Sequence, residues 1–222
     1  MTATETPAGP PTRGTRRRAD TRRRLMDVAF DVLAEHGIRD TRIELICERA
    51  GFTRGAFYSN FGSKEDLFLA MYAEHLHRWC ERLQEAIDDV LTTSPPPDTQ
   101  PLRETVSQVA SEIPTALVPD RQWYLLLSEF RAYALRDPEL RARTERTQRH
   151  YLDRIGEILA TMLGRLGITL RVSPQNAVSV LSGIYEKALE RALFTESEAT
   201  ADSELVTEVL PEIVTALVAT GQ

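Results

Sequence analysis

The stretch GFTRGAFYSNFGSKEDL, residues 51–67, decides how the rest of this 222-residue chain is read. Gly51-Phe52 follows a short run of helical periodicity and precedes Thr53, whose side-chain oxygen suits a helix N-cap. A helix, a glycine-containing turn and a second helix is the arrangement that lets the second helix enter the major groove of DNA. Phe57 and Phe61 lie four apart and anchor the second helix, which the pattern ends near Asn60. Its other side carries Arg54, Gly55, Ala56, Tyr58, Ser59 and Asn60, which are small, polar or hydrogen-bonding. Gly55 lowers helix propensity by about 1 kcal/mol relative to alanine. Close approach of another backbone, such as that of DNA, would give it a reason. Arg54 can fork onto a guanine edge or a phosphate, and Tyr58 and Asn60 suit phosphate oxygens. Lys64 falls in the first turn of the next helix, where its charge and unpaired N–H groups act together on an anion. The plainer alternative is a solvated polar face on a small three-helix bundle.

Upstream, Thr41 and Glu44 have capping-box spacing, and Ile43, Ile46, Cys47 and Ala50 make the buried face of a helix ending near Gly51. Before it, Leu25, Val28, Ala29, Val32 and Leu33 form a core stripe on a helix over about 20–36, with Gly37 as its stop. Residues 1–18 carry three prolines, two glycines and few apolar side chains, and read as a disordered basic arm. Residues 13–24 hold seven arginines against one acid, Asp20, leading into the helix-turn-helix. Such a run is either a solvated segment or a phosphate-contacting one.

Downstream, Ser63 and Asp66 cap a helix that runs to about Leu91. Pro95, Pro96, Pro97 and Pro101 then impose a loop. Further helices are expected over 102–116, 120–136, 138–166 and 174–194. Asp137-Pro138 and Ser173-Pro174 supply N-cap and first-turn signals for the last two. A final helix over 202–219 should be kinked at Pro211. With no alternating strand pattern, the fold class is all-α. The domains are the arm 1–18, a three-helix domain 19–66, and a larger helical domain 67–222.

The formal charge of −6 hides an asymmetry. Residues 1–64 hold 12 basic and 8 acidic side chains; residues 65–222 hold 15 and 25. A basic N-terminal third on an acidic body fits nucleic acid, because only the docking surface must neutralise phosphates. No apolar run approaches membrane-spanning length and no secretory signal is evident, so no membrane partner and a cytoplasmic location are expected. Cys47 and Cys80 read as reduced, buried thiols. No cofactor or metal is expected: His75 and His77, two apart, point away from each other on one helix. The HExxH, GxSxG and phosphate-loop patterns of enzymes are absent. Besides an enzyme, the remaining alternative is a ligand-binding or scaffolding dimer without DNA binding. The Arg54, Tyr58 and Lys64 set disfavours it.

Residues 21–72, TRRRLMDVAFDVLAEHGIRDTRIELICERAGFTRGAFYSNFGSKEDLFLAMY, resemble the N-terminal domain of TetR-family repressors. The Tyr58-Ser59-Asn60-Phe61 core followed by Ser63-Lys64-Glu65 carries the likeness. Asn60 departs from the histidine common there, Arg42 from a small Ser or Thr, and Cys47 from alanine. The resemblance implies Arg54 and Ala56 at base-contacting positions. It implies Tyr58, Asn60 and Lys64 on phosphates, with Thr41 and Arg42 near the DNA backbone. Thr53, Gly55 and Ser59 complete the candidate DNA-binding set. It also implies a ligand-responsive homodimeric repressor on a palindromic double-stranded DNA operator, its partner copy held through the last two helices. Apolar stripes support that: Val178, Leu181, Tyr185, Ala188, Leu189 and Ala192 on one helix, and Leu205, Val209, Ile213, Ala216 and Leu217 on the other. Candidate linings for a small apolar or amphipathic effector are Trp79, Trp123, Leu127, Tyr151 and Tyr185, large side chains of which several carry a polar tip.

Overall fold

The structure, a computed structural model, describes residues 13–93, 121–165, 167–195 and 203–219. The chain divides into two compact units, one up to Met71 and one from Tyr72 onward. That division falls five residues beyond the expected 66. The first turns of α4 (Lys64–Thr93) pack with the helix-turn-helix, through Leu67, Phe68 and Met71, all buried.

The N-terminal unit is built from α1 (Arg13–Asp40), α2 (Ile43–Ala50), α3 (Arg54–Tyr58) and the start of α4. Leu25, Ala29, Val32 and Leu33 are fully buried at the expected helical spacing. They meet Ile46, Cys47 and Ala50 of α2, with Phe57 and Phe61 closing the core around α3. Burying one such Leu, Ile or Phe side chain contributes roughly 1.5–3 kcal/mol, so this small core holds two helices of eight and five residues that would not persist alone. Gly51 has φ 74°, and the Phe52 N–H donates to Cys47 O at 2.9 Å. This is the left-handed C-terminal cap that turns the chain between α2 and α3.

Two local expectations need correction. Residues 13–18 are helical: α1 starts at Arg13, because arginine is a good helix former and Arg18 is tied to Ser59 O at 2.9 Å. Residues 1–12, the rest of the expected arm, lie outside the described residues. Gly37 breaks helical geometry where expected, at φ 77° and ψ 163°, and a short second stretch follows to Asp40. The capping box at Thr41 does not form. Thr41 is buried and its hydroxyl donates to Gly37 O at 2.7 Å, while Arg42 takes the N-cap position.

The C-terminal unit contains the rest of α4, α5 (Arg121–Ala134), α6 (Pro138–Arg165), α7 (Pro174–Phe194) and α8 (Leu210–Leu217). Asp137 Oδ1 accepts from the N–H groups of Glu139 and Leu140, and Ser173 Oγ from Asn176 N–H, so both Asp-Pro and Ser-Pro signals are real caps. One core joins Cys80, Leu83 and Ile87 of α4 to Ile155, Ile158, Met162 and Leu163 of α6. A second joins Ala188 of α7 to Val206 and Leu210. The expected helix over 102–116 and the proline-rich loop fall outside the described residues apart from Thr92 and Thr93, which are still helical.

The last element differs from one kinked helix. Leu205–Val209 is π-helical, α8 follows with Pro211 in its first turn, and Val218–Ala219 leaves the helix. Proline has no N–H to give the turn before it, and a wider turn upstream accommodates that loss. Val218–Ala219 pairs antiparallel with Thr169–Leu170. Among the described residues this two-residue ladder is the sole strand pairing in an otherwise all-α fold; strands so short carry no alternation to read.

Candidate nucleic-acid interface

Thr53 Oγ1 accepts from Ala56 N–H at 3.2 Å and starts α3, as its position after the turn predicts. Phe57 is fully buried beneath the helix, edge-on to Tyr58 at 5.4 Å and tilted against Phe61 at 5.7 Å. This fixes the rotation of α3, so Thr53, Arg54, Gly55, Tyr58 and Ser59 are exposed while Ala56 is half-buried. A Cβ built on Gly55 meets nothing closer than Thr53 Oγ1 at 3.7 Å, an ordinary contact. No neighbouring protein atom therefore requires glycine there. Arg54 is 3.0 Å from Glu44 Oε1, and its guanidinium carbon lies 5.9 Å from the Tyr58 ring centre. Its pKa is held above the usual arginine value by hydrogen bonding to Tyr58 and by the charge of Glu44.

Behind α2 and α3, three arginines of α1 grip helix ends. Arg24 Nε donates to Ala50 O at 3.2 Å, at the end of α2. Arg18 and Arg22 donate to Ser59 O at 2.9 Å and Asn60 O at 3.1 Å, just past α3. Arg22 also stacks on Phe61, 4.4 Å from the ring centre. Cations at helix C-termini satisfy orphan carbonyls and oppose the partial negative charge there. Part of the arginine run is therefore structural bracing, which sequence reading missed. The three stand at 18, 22 and 24, spaced by four and two, within a run of seven arginines, and a charge run does not reveal which members fold back.

Two expected phosphate ligands face inward. Lys64 Nζ donates to the carbonyls of Ile38, Arg39 (3.2 Å) and Thr41 (2.8 Å). An ammonium has three donors, and all three are engaged in closing the α1–α2 connection. Asn60 Nδ2 donates to Ala56 O at 2.8 Å and to Ser59 Oγ at 3.2 Å, finishing α3, and its Oδ1 is buried without a partner. Thr41, expected near the DNA backbone, is 3% exposed; Arg42 beside it is exposed. The folded surface thus presents Arg42, Thr53, Arg54, Gly55, Tyr58 and Ser59, and turns the side chains of Thr41, Asn60 and Lys64 into its support.

Residues 25–71, which span this whole arrangement, match the profile of the bacterial regulatory proteins of the tetR family. Over these residues the chain is similar to that family. The Fatty acid metabolism regulator protein of Bacillus subtilis is 31% identical over 68 residues, 31% of this chain and 35% of that protein. The HTH-type transcriptional regulator AcrR of Shigella flexneri is 41% identical over 49 residues, 22% of this chain and 23% of that protein. This chain spans between 27% and 43% of the length of the first three curated relatives. The tetR-family likeness of fold is wider. A Mesorhizobium loti protein assigned to the family superposes with a TM-score of 0.69 over 95% of this chain and 100% of its own, at 20% identity. The Bacillus subtilis regulator FadR in complex with stearoyl-CoA superposes with a TM-score of 0.61 over 86% and 96%, at 20% identity.

In the C-terminal unit, the five candidate ligand residues fall into several packing environments. Trp79 and Tyr151 pack on the α4–α6 core, and the Tyr151 hydroxyl donates to Ala73 O at 2.8 Å. Trp123 stacks on His75, ring centres 4.2 Å apart. Leu127 is half-buried. Tyr185 packs on the second core, where its hydroxyl is buried without a partner and burial raises its pKa. Glu186, next in the chain, reads from sequence as a salt-bridging or solvated carboxylate, and it is ion-paired. Arg131 forms two hydrogen bonds to Glu186, at 3.0 and 2.9 Å. Burial pulls the Arg131 pKa down, but Glu186 and Tyr72 together hold it above the ordinary value. Of the apolar stripe on α7, Val178, Ala188, Leu189 and Ala192 are buried in the single chain, while Leu181 and Tyr185 are half-buried. On α7 and the turn before α8, the large apolar side chains left exposed among the described residues are Val180 (46%), Phe194 (83%) and Val209 (38%). Among the described residues no helix is long and apolar enough to cross a membrane, and no cluster of three or more His, Cys, Asp or Glu could hold a metal.

Proposed function

We propose that this protein is a ligand-responsive, homodimeric transcriptional repressor that binds a palindromic double-stranded DNA operator through the major groove. The observation that carries the reading is the exposed face of α3, whose rotation is fixed by buried Phe57 and whose C-terminal end is gripped by α1 arginines. A helix held from behind and exposed in front is suited to insertion in a groove. Arg54 reads a base edge, with Ala56 beside it; Arg42, Thr53, Tyr58 and Ser59 meet phosphates, and Gly55 admits the DNA backbone. Two such helices about 34 Å apart suit a two-fold operator, which requires a second copy. The last two helices supply that contact through the apolar side chains left exposed on α7 and its C-terminal neighbour. Residues 19–66 are the DNA-binding part and residues 67–222 the effector-binding and dimerising part. The protein acts by binding rather than catalysis, in the cytoplasm.

The effector is a small apolar or amphipathic molecule. That a neighbour of the same fold is in complex with stearoyl-CoA supports an amphipathic class. Repression is relieved when the effector favours a state that fits the operator less well, which requires different affinities for the two states. Helix α4 belongs to both units, and is the path by which one informs the other.

The reading is tested by binding the purified protein to DNA upstream of its own and neighbouring genes at several salt concentrations, with Arg54→Ala/Tyr58→Ala as control. Sequence-dependent binding that weakens steeply with salt and vanishes in the double variant is the expected result. Weak binding, indifferent to sequence and to the substitutions, would leave a sensor or scaffold without DNA recognition.

A further inference from the structure

Glu44 stands where a surface that meets phosphates should carry no carboxylate. It lies in the first turn of α2, exposed, and its Oε1 is 3.0 Å from Nη1 of Arg54, with the two side chains 54% and 61% exposed. An ion pair this exposed contributes little to folding, so stability does not account for it. Its negative charge also opposes attraction to any DNA backbone. What it does achieve is geometric. Arg54 is the first residue of a five-residue helix and extends into solvent. It is held between the Glu44 carboxylate and the ring of Tyr58. A guanidinium has five donors in a rigid fork, so engaging one edge leaves another presented in a defined direction. A guanine offers O6 and N7 to such a fork, and the bidentate contact discriminates only when the fork arrives already oriented.

We propose that Glu44 is a specificity-determining residue: it positions the Arg54 guanidinium to read one guanine in each half-site, at the expense of non-specific affinity. The inference rests on the DNA-binding reading above and adds a residue that acts through Arg54 rather than on DNA.

The test uses the full chain and a pool of random DNA duplexes, with bound duplexes sequenced to give a base preference at every position. Arg54→Ala identifies the base pair that Arg54 reads, by loss of preference there. Glu44→Ala and Glu44→Gln are each expected to cut the guanine preference at that same base pair by about two- to fivefold, the scale of an exposed ion pair. They should leave the other positions as they were, raise affinity for scrambled duplex severalfold, and leave the thermal midpoint in place. Two results would overturn the proposal: an unchanged guanine preference in both Glu44 variants, or a loss of preference at a different base pair, which would make Glu44 itself the reader. A parent protein with no sequence preference at all would remove the DNA-binding reading and this inference with it. A sequence-specific parent with Glu44 variants of identical preference removes the inference alone.

Discussion

Gly55 is a residue whose cost within the fold has no return within the fold. A Cβ there meets only Thr53 Oγ1 at 3.7 Å, and alanine is favoured over glycine in a helix by about 1 kcal/mol. Gly55→Ala is therefore expected to raise unfolding free energy by roughly 0.5–1 kcal/mol in urea titration, while weakening operator binding. Unchanged or tighter DNA binding would show that no backbone approaches it. Lys64 makes the opposite case. Its three carbonyl contacts are internal, and hydrogen bonds to a charged group contribute about 1.5–3 kcal/mol each way they are lost. Lys64→Met should destabilise the protein by at least about 2 kcal/mol without changing the dependence of DNA affinity on salt. A phosphate ligand would instead lower the salt slope by about one for each contact removed.

At the scale of elements, α3 exists because of what surrounds it. Five residues cannot sustain a helix alone; Thr53 caps it, Gly51 turns the chain into it and Phe57 anchors it. Gly51 sits at φ 74°, a conformation that costs other residues roughly 1–2 kcal/mol. Gly51→Ala should lower stability by about that amount in denaturant titration and lower DNA affinity with it, because the angle between α2 and α3 depends on this turn. An equal midpoint to the parent would mean the turn relaxes freely. Most element positions were legible in sequence: the Asp137-Pro138 and Ser173-Pro174 starts are where the helices begin. The missed capping box at Thr41 has a physical cause. Its hydroxyl has two uses of similar worth, and the half-buried Gly37 carbonyl takes it.

For the whole molecule, the question is which apolar faces each unit consumes and which it leaves over. The spacing of Val178, Ala188, Leu189 and Ala192 revealed a buried face but not whose core it enters; they belong to their own unit. Phe194, 83% exposed at the end of α7, is left over. Phe194→Glu should cost the protomer within about 0.5 kcal/mol of stability, as surface substitutions do. Analytical ultracentrifugation should show at least about a tenfold weaker dimer, the loss of one buried aromatic anchor. A dimer of unaltered strength would place the partner contact elsewhere.

What the sequence by itself determined was everything written in local periodicity and turn chemistry. Helix positions, the caps at Thr53, Asp137 and Ser173, and the Phe57–Phe61 spacing depend on neighbours a few residues away. So does the outward rotation of Arg54, Tyr58 and Ser59. The tertiary structure alone decided the long-range choices among long, flexible or ambivalent side chains. Arg18, Arg22 and Lys64 reach partners 41, 38 and 23–26 residues away. That Trp79 and Tyr151 share one core while Tyr185 packs on another and Trp123 on His75 was equally unreadable. A long cationic side chain can meet solvent, phosphate or a carbonyl with equal local fitness, and only the positions of distant helix ends settle which it does.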